Sequence, residues 1–343
     1  MDIDRMTIAR ARLAMQEAAR SFLFDPNVTL IDFGWPEREG RLATDTLAIR
    51  LHVKTKMSGI ALETAVDAGR TKLIPPKIGL FDTDVQQASY RLHWGTCVWR
   101  RFVANPRAVR CDPMRGGISI SNERHVNYGT LGGRVIDRAT GDEMILSNWH
   151  VLAGDWAARA GRRICQPGLG DGGTGADAVA TLTRHAMPAN LDAAVATLGG
   201  NRRLVSDQFD LGPVRGADRA TLGMEVIKSG RRTAVTRGVV TAIEGVVRVR
   251  YDDLDRVIRD VVTIEPRGRF GEVSAPGDSG SWWLDEETMS AVGLHFAGSD
   301  QPERALALDM PTVLQALDVD IPAAAETARA GVLPVRRRQP VGI

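Results

Sequence analysis

Apolar residues recur near helical spacing at the start of the chain: Met6, Ile8, Ala9, Leu13, Ala14, Met15, Ala18 and Phe22. The pattern predicts a helix from about Asp4 to Phe24, ended by Asp25-Pro26-Asn27. Strands are predicted next, at Val28 to Phe33 and Thr46 to Val53. In the second, Leu47, Ile49, Leu51 and Val53 alternate with Ala48, Arg50 and His52, as in a half-buried strand with His52 facing outward. Gly59 to Gly69 reads as a short helix, and Ile78 to Val85 as another extended segment. Together these make a small α+β unit of roughly 90 residues.

From about Gly95 the texture changes to short β-like runs between glycine-rich turns. One series comprises Gly117 to Ile120, Gly129 to Ile136, Ile145 to His150, Val179 to Leu182 and Asp192 to Leu198. A second comprises Gly223 to Ile227, Arg237 to Ile243, Val246 to Tyr251, Val257 to Ile264, Gly280 to Leu284, Ala291 to Phe296 and Ala305 to Leu308. Two series of roughly six strands suggest two antiparallel barrels. Pro311 to Leu317 then reads as a closing helix. The expected division is 1–94, an α+β regulatory or docking domain; 95–321, a mainly β domain; and 322–343, a mobile tail containing Arg336-Arg337-Arg338.

Composition narrows the class. The chain has 343 residues, 43% hydrophobic and 25% charged, with formal net charge +2. These values fit a globular protein and give no sign of specific nucleic-acid binding. Three cysteines, Cys97, Cys111 and Cys165, make no disulfide framework; Cys97 and Cys111 could pair, but three free thiols are expected. Neither a C-x-x-C nor an H-E-x-x-H pattern is present, so no metal and no cofactor is expected. Residues 1–5 lack the apolar core of a secretory leader, and no run approaches about 18 apolar residues. A reducing cytoplasm is the expected compartment, without membrane insertion.

The chemistry centres on Gly277-Asp278-Ser279-Gly280-Ser281, which follows the turn Ser274-Ala275-Pro276 and precedes Trp282-Trp283-Leu284. Upstream, His150 ends the apolar run Ile145 to Trp149, and Asp192 follows Asn190-Leu191. A serine hydroxyl needs a neighbouring base to become a nucleophile. Among the histidines, His52, His93, His125, His185 and His295 lack the setting of His150. Asp171, Asp177 and Asp207 compete with Asp192, but only Asp192 directly precedes a small apolar strand after a turn-forming asparagine. Asp278 and its neighbours read as turn scaffolding. Lys228 to Thr233 reads as strand and turn, without the glycine spacing of a phosphate loop, and Trp282-Trp283 as core.

In the order His, Asp, Ser, these segments resemble a trypsin-like (chymotrypsin-fold) serine peptidase of a bacterial intracellular type. The resemblance spans Gly116 to Ile321, carried by Gly129-Thr130-Leu131-Gly132, Leu146 to Val151, Asn190 to Ala194 and Lys228 to Thr233. Residues Asn27 to Val85 are similar to a small domain that often precedes such peptidases. It implies a mainly β, chymotrypsin-like double six-stranded antiparallel barrel with a C-terminal helix, preceded by the small α+β domain.

The resemblance also implies that Ser279 attacks a peptide carbonyl, His150 transfers the proton and Asp192 orients His150. The backbone N–H groups of Gly277 and Ser279 would form the oxyanion hole. The specificity pocket would be lined by Val273, Phe296, Ala297 and Gly298. Val273 stands where trypsins carry their buried carboxylate, so an uncharged, small or medium apolar side chain is expected before the cut, although Glu272 or Asp300 could reach inward. The implied substrate is a protein or peptide, a gasdermin-like or other defence protein among the candidates. The chain has no Ile-Val-Gly-Gly activation sequence, so control by removal of a leader is not expected. A catalytically dormant binding module on the same fold is the alternative, and an esterase a weaker one.

Overall fold

The structure, a computed structural model, describes residues 3–93, 95–96, 105–200, 202–267 and 271–322. Helix Arg5–Phe22 starts where the Asp4 carboxylate accepts the Thr7 N–H at 2.8 Å. Its buried face, Ala11, Ala14, Met15, Ala18 and Phe22, packs into one apolar cluster with strands Val28–Gly34 and Ala48–Val53. Those strands pair antiparallel, with Ile31 opposite Leu51 and Phe33 opposite Ile49. Strand Phe81–Gln87 runs parallel to Ala48–Val53, which requires a crossover, and helix Gly59–Asp67 lies within it.

Ala48–Val53 is buried on both faces, unlike the half-exposed strand that alternation suggested, and His52 points into the protein. Apolar positions meet the helix; the other face carries a buried polar network. Arg50 donates to both Asp32 oxygens at 2.6 and 2.7 Å, and Thr263 donates to Asp32 at 2.7 Å. His52 Nδ1 lies 2.8 Å from the Tyr90 hydroxyl and 3.1 Å from Arg304. Burial would raise the Asp32 carboxyl, but Arg50 and His52 outweigh it and hold it well below the usual range. Burial lowers His52 to about 4.

The second strand series closes a ring. Glu225–Gly230, Trp282–Asp285, Ala291–Asp300, Glu303–Asp309, Leu254–Pro266 and Ala234–Tyr251 pair in that order, and the last pairs back to the first. The predicted runs 237–243 and 246–251 form one strand, Ala234–Tyr251, with register shifts around Glu244, whose φ is +56°. This strand also pairs with Val28–Gly34, so the N-terminal strands extend the ring's sheet. The first series forms an open nine-stranded path. Its predicted run 129–136 is split into Asn127–Thr130 and Gly133–Asp137.

Helix Met310–Leu317 buries Met310, Val313, Leu314 and Leu317. Cys111 and Cys165 are free thiols; Cys97 and residues 323–343, with the Arg336–Arg338 run, lie outside the described residues. Among the described residues, no helix is long and apolar enough to cross a membrane.

Candidate active site

His150 does not end a strand. Strand Glu143–Ser147 stops, Asn148 takes an extended conformation, and a single helical turn, Trp149–Leu152, carries the imidazole. The neighbouring strand Ala194–Leu198 pairs with Glu143–Ser147 so that Ala194 faces Ser147. That register brings residues 148–150 and 192–193 to the same end of the sheet. Asn190, with φ of +61°, turns the chain there. Asn148 Nδ2 donates to the Asp192 carbonyl at 2.7 Å, tying the two turns together.

The Asp192 carboxylate is buried and receives three donors. His150 Nδ1 lies 2.5 Å from Oδ2, the His150 backbone N–H 3.1 Å from Oδ1, and the Tyr251 hydroxyl donates to Oδ2 at 2.8 Å. This arrangement fixes the imidazole's orientation and suits an Nδ1–H tautomer. Burial, then the Asp192 charge, raises the Tyr251 phenol well above its ordinary range, so Tyr251 stays a donor. Tyr251 was not foreseen as a site residue. It ends the long strand Ala234–Tyr251 and reaches Asp192 only through the meeting of the two sheets. Asp171, by contrast, pairs with Arg231, Asp177 caps a turn through Thr174, and Asp207 lies on strand Leu204–Gln208.

Ser279 sits in a loop held from both sheets. Its carbonyl accepts the Thr130 N–H at 2.7 Å, while Gly280 N–H donates to the His295 carbonyl at 2.9 Å. A Cβ built on Gly129 would meet both Val151, the residue after His150, and the Ser279 carbonyl. The serine and the histidine turn therefore adjoin one point of strand Asn127–Thr130. The loop's path needs glycine twice. Gly277 has φ of +115° and a Cβ there would strike Tyr128; Gly280 has φ of +98° and a Cβ would strike Ser147 and Thr130. The Ser279 hydroxyl donates to the Phe296 carbonyl at 3.1 Å.

Asp278 is scaffolding of a specific kind. Its buried carboxylate accepts the N–H groups of Ala275, Arg232 and Thr233 and the Thr233 hydroxyl, and pairs with the buried ammonium of Lys228 at 3.1 Å. Burial would raise this carboxyl, but Lys228 and Thr233 hold it well below the usual range. Burial lowers Lys228 despite Asp278. The carboxylate thus anchors the loop between Gly277 and Ser279.

The two N–H groups expected to form an oxyanion hole point at a carbonyl of the chain itself. Gly277 N–H and Ser279 N–H both donate to the His93 carbonyl, the latter at 3.3 Å. The His93 N–H donates to the Phe296 carbonyl at 3.1 Å. Arg91–Leu92 pairs antiparallel with strand Ala291–Asp300, Leu92 opposite Ala297 and Arg91 opposite Gly298. The His93 ring is buried, touches the place where Gly298 would carry a side chain, and lies 3.3 Å from His295 through Nδ1 and Nε2.

The pocket reading is therefore revised in part. Ala297 and Gly298 pair through backbone with Leu92 and Arg91, and the Phe296 carbonyl accepts the His93 N–H. Val273, however, packs in the ring's apolar cluster with Val226, Val240, Ile264, Trp283 and Val292. Glu303 caps its backbone N–H at 2.9 Å, and Asp300 pairs with Arg91. A histidine fills the place expected to take an apolar side chain. Neither His93 nor His295 was singled out, because a lone histidine in a short apolar run carries no local signal of its partner.

No protein-family model and no curated protein matches the chain. Among solved structures it is similar to bacterial proteases. A chymotrypsin from Cellulomonas bogoriensis shares 20% identity, covering 62% of this chain and 99% of that one, with a TM-score of 0.45. Protease A of Thermobifida fusca shares 15%, covering 62% and 99%, with a TM-score of 0.46. A Nocardiopsis protease shares 17%, covering 60% and 97%, with a TM-score of 0.45.

Proposed function

We propose that the protein is a serine endopeptidase that hydrolyses peptide bonds through Ser279, His150 and Asp192. The observation that carries this reading is the main-chain carbonyl on the Gly277 and Ser279 N–H groups, beside a buried His150–Asp192 pair. Two N–H donors converging on one carbonyl oxygen are what stabilises a tetrahedral oxyanion, each worth roughly 3–4 kcal/mol in the transition state. Ser279 attacks the carbonyl carbon and His150 takes its proton. The imidazolium is stabilised by Asp192 and returns the proton to the leaving amine. An ester on Ser279 results, which water hydrolyses.

The substrate on this reading is an extended segment of a protein or peptide, added as a short strand to Ala297 and Gly298. With the resemblance in the sequence, the reading extends to limited proteolysis of an intracellular protein, a gasdermin-like defence protein among the candidates. A fluorophosphonate probe tests the chemistry: labelling should map to Ser279 and vanish in Ser279→Ala. Profiling on an unbiased peptide library separates peptidase from esterase. Undiminished peptide cleavage by a folded Ser279→Ala protein would overturn the assignment.

A further inference from the structure

We propose that the chain is its own first substrate, cut intramolecularly by Ser279 at the bond between His93 and Trp94. This rests on the peptidase reading above and names a substrate for the same site.

The segment crosses the cleft as a bound substrate would. Before the bond, Arg91 and Leu92 pair with Gly298 and Ala297 on the closed ring. After it, Gly95 and Thr96 pair with Tyr128 and Asn127 on the open sheet. A Cβ at Gly95 would enter the Tyr128 ring, so the chain passes tightly across that wall. Between these anchors, the His93 carbonyl rests on the two N–H groups of the Ser279 loop. The Phe296 carbonyl accepts both the His93 N–H and the Ser279 hydroxyl, each at 3.1 Å, placing nucleophile and target residue on one acceptor. Such placement converts a bimolecular reaction into a unimolecular one.

The approach is braced by the N-terminal unit. Thr29 Oγ donates to the Ala88 carbonyl at 2.9 Å, and Ala88 N–H donates to Val53. Tyr90 is held by His52 within the buried network. The pocket is read by His295: its ring stacks edge to face with His93 at a centroid distance of 5.3 Å. Burial lowers both imidazoles, His93 to about 4, so the docked ring is neutral.

In the reaction, the Ser279 oxygen bonds to the His93 carbonyl carbon and its proton passes to His150. The carbon–nitrogen bond breaks, and that proton goes to the new amine of Trp94. Water then attacks the ester, gives one proton to His150 and thence to Ser279, and leaves a carboxyl at His93. One water is consumed and no electrons change hands. The severed N-terminal piece stays in place through the pairing of Val28–Gly34 with Ala234–Tyr251 and the Asp32–Thr263 contact. Its new C-terminus blocks the cleft until the piece is displaced.

Intact mass and terminal sequencing of the purified full chain test this. The expected result is two co-eluting pieces, 1–93 and 94–343, a Ser279→Ala chain that stays whole, and a rate unchanged by tenfold dilution. His93→Pro, which removes the N–H to Phe296, should stay whole and take up a fluorophosphonate faster than the wild type. A wild-type chain that stays whole, or is cut elsewhere, while labelling at Ser279 overturns the self-cleavage and leaves the peptidase reading standing. A rate that rises with concentration overturns the intramolecular step. If folded wild type and His93→Pro both stay whole and unlabelled, both readings fall.

Discussion

Two buried carboxylates flank the candidate nucleophile, and they are neutralised in different ways. Asp192, on the open sheet, is held by an imidazole, a backbone N–H and a phenol. Asp278, on the loop itself, is held by an ammonium, a hydroxyl and three backbone N–H groups. The first has an imidazole partner, held through Nδ1. The second has an ammonium partner and donors that are mostly main chain. On the proposed function, one carboxylate serves a moving proton, while the other ties down a loop. Both need burial, because a water-exposed pair would be too weakly coupled to do either.

The largest effect lies where the comparison touches chemistry. Ser279→Ala and His150→Ala should each lower kcat for peptide hydrolysis by about 10⁶-fold with thermal unfolding unchanged, since such residues act as a unit. A folded variant of either kind retaining a tenth of the activity would overturn the assignment of Ser279 and His150.

Next comes the rigid site. Lys228→Met leaves Asp278 buried without its cation. Denaturant unfolding should show a loss of about 3–5 kcal/mol, and the loop bearing Gly277 and Ser279 should lose its shape. Restoring stability by adding Asp278→Asn, without restoring activity, would sharpen the distinction between holding a loop and holding a base. Unchanged stability in Lys228→Met would erase it.

Tyr251→Phe should be milder. Removing one hydrogen bond to a charged acceptor costs about 1.5–3 kcal/mol, so kcat/KM should fall roughly ten- to a hundredfold, with KM nearly constant. The split between kcat and KM is the diagnostic: loss of the hydroxyl that donates to Asp192 should fall on kcat. An unchanged kcat would mean that Tyr251 only packs.

The smallest effect is in pH. Docked His93 is lowered to about 4 from 6.5, first by burial, with Arg91 and Lys228 adding to the shift while Asp278 and Asp300 oppose it. A lowered value means that the free ring takes a proton that the docked ring refuses. Docking is therefore at full strength above about pH 6.5 and is lost as pH falls toward 4. Between pH 7.5 and 5.5 the segment's hold should weaken roughly tenfold. Fluorophosphonate labelling of His93→Leu beside the wild type checks this, the variant losing the pH dependence.

Much of the local geometry around the candidate site was readable along the chain. Ser279 and its glycines announce a tight turn, and Asn190 and the small strand after Asp192 mark where an aspartate can be set beside His150. These are local requirements, imposed by backbone conformation and strand period, and a linear pattern records them. The helix Arg5–Phe22 and most strand positions were legible for the same reason. Ala48–Val53 was misread because alternation reports two different faces, and inside the protein Arg50 is satisfied by Asp32 and His52 by Tyr90. Val273 was misplaced because offset from the nucleophile does not say which way a side chain turns.

By itself, the sequence determined which residues could do the chemistry and the order of strands that would present them. Only the tertiary structure decided what lies across the cleft. Arg91, Leu92 and His93 are three residues in a connection, too few to carry a period. Their pairing with residues some two hundred positions away depends on one sheet being extended by N-terminal strands. Contacts of that separation arise from how finished elements pack, and packing leaves no mark within a short window of the chain.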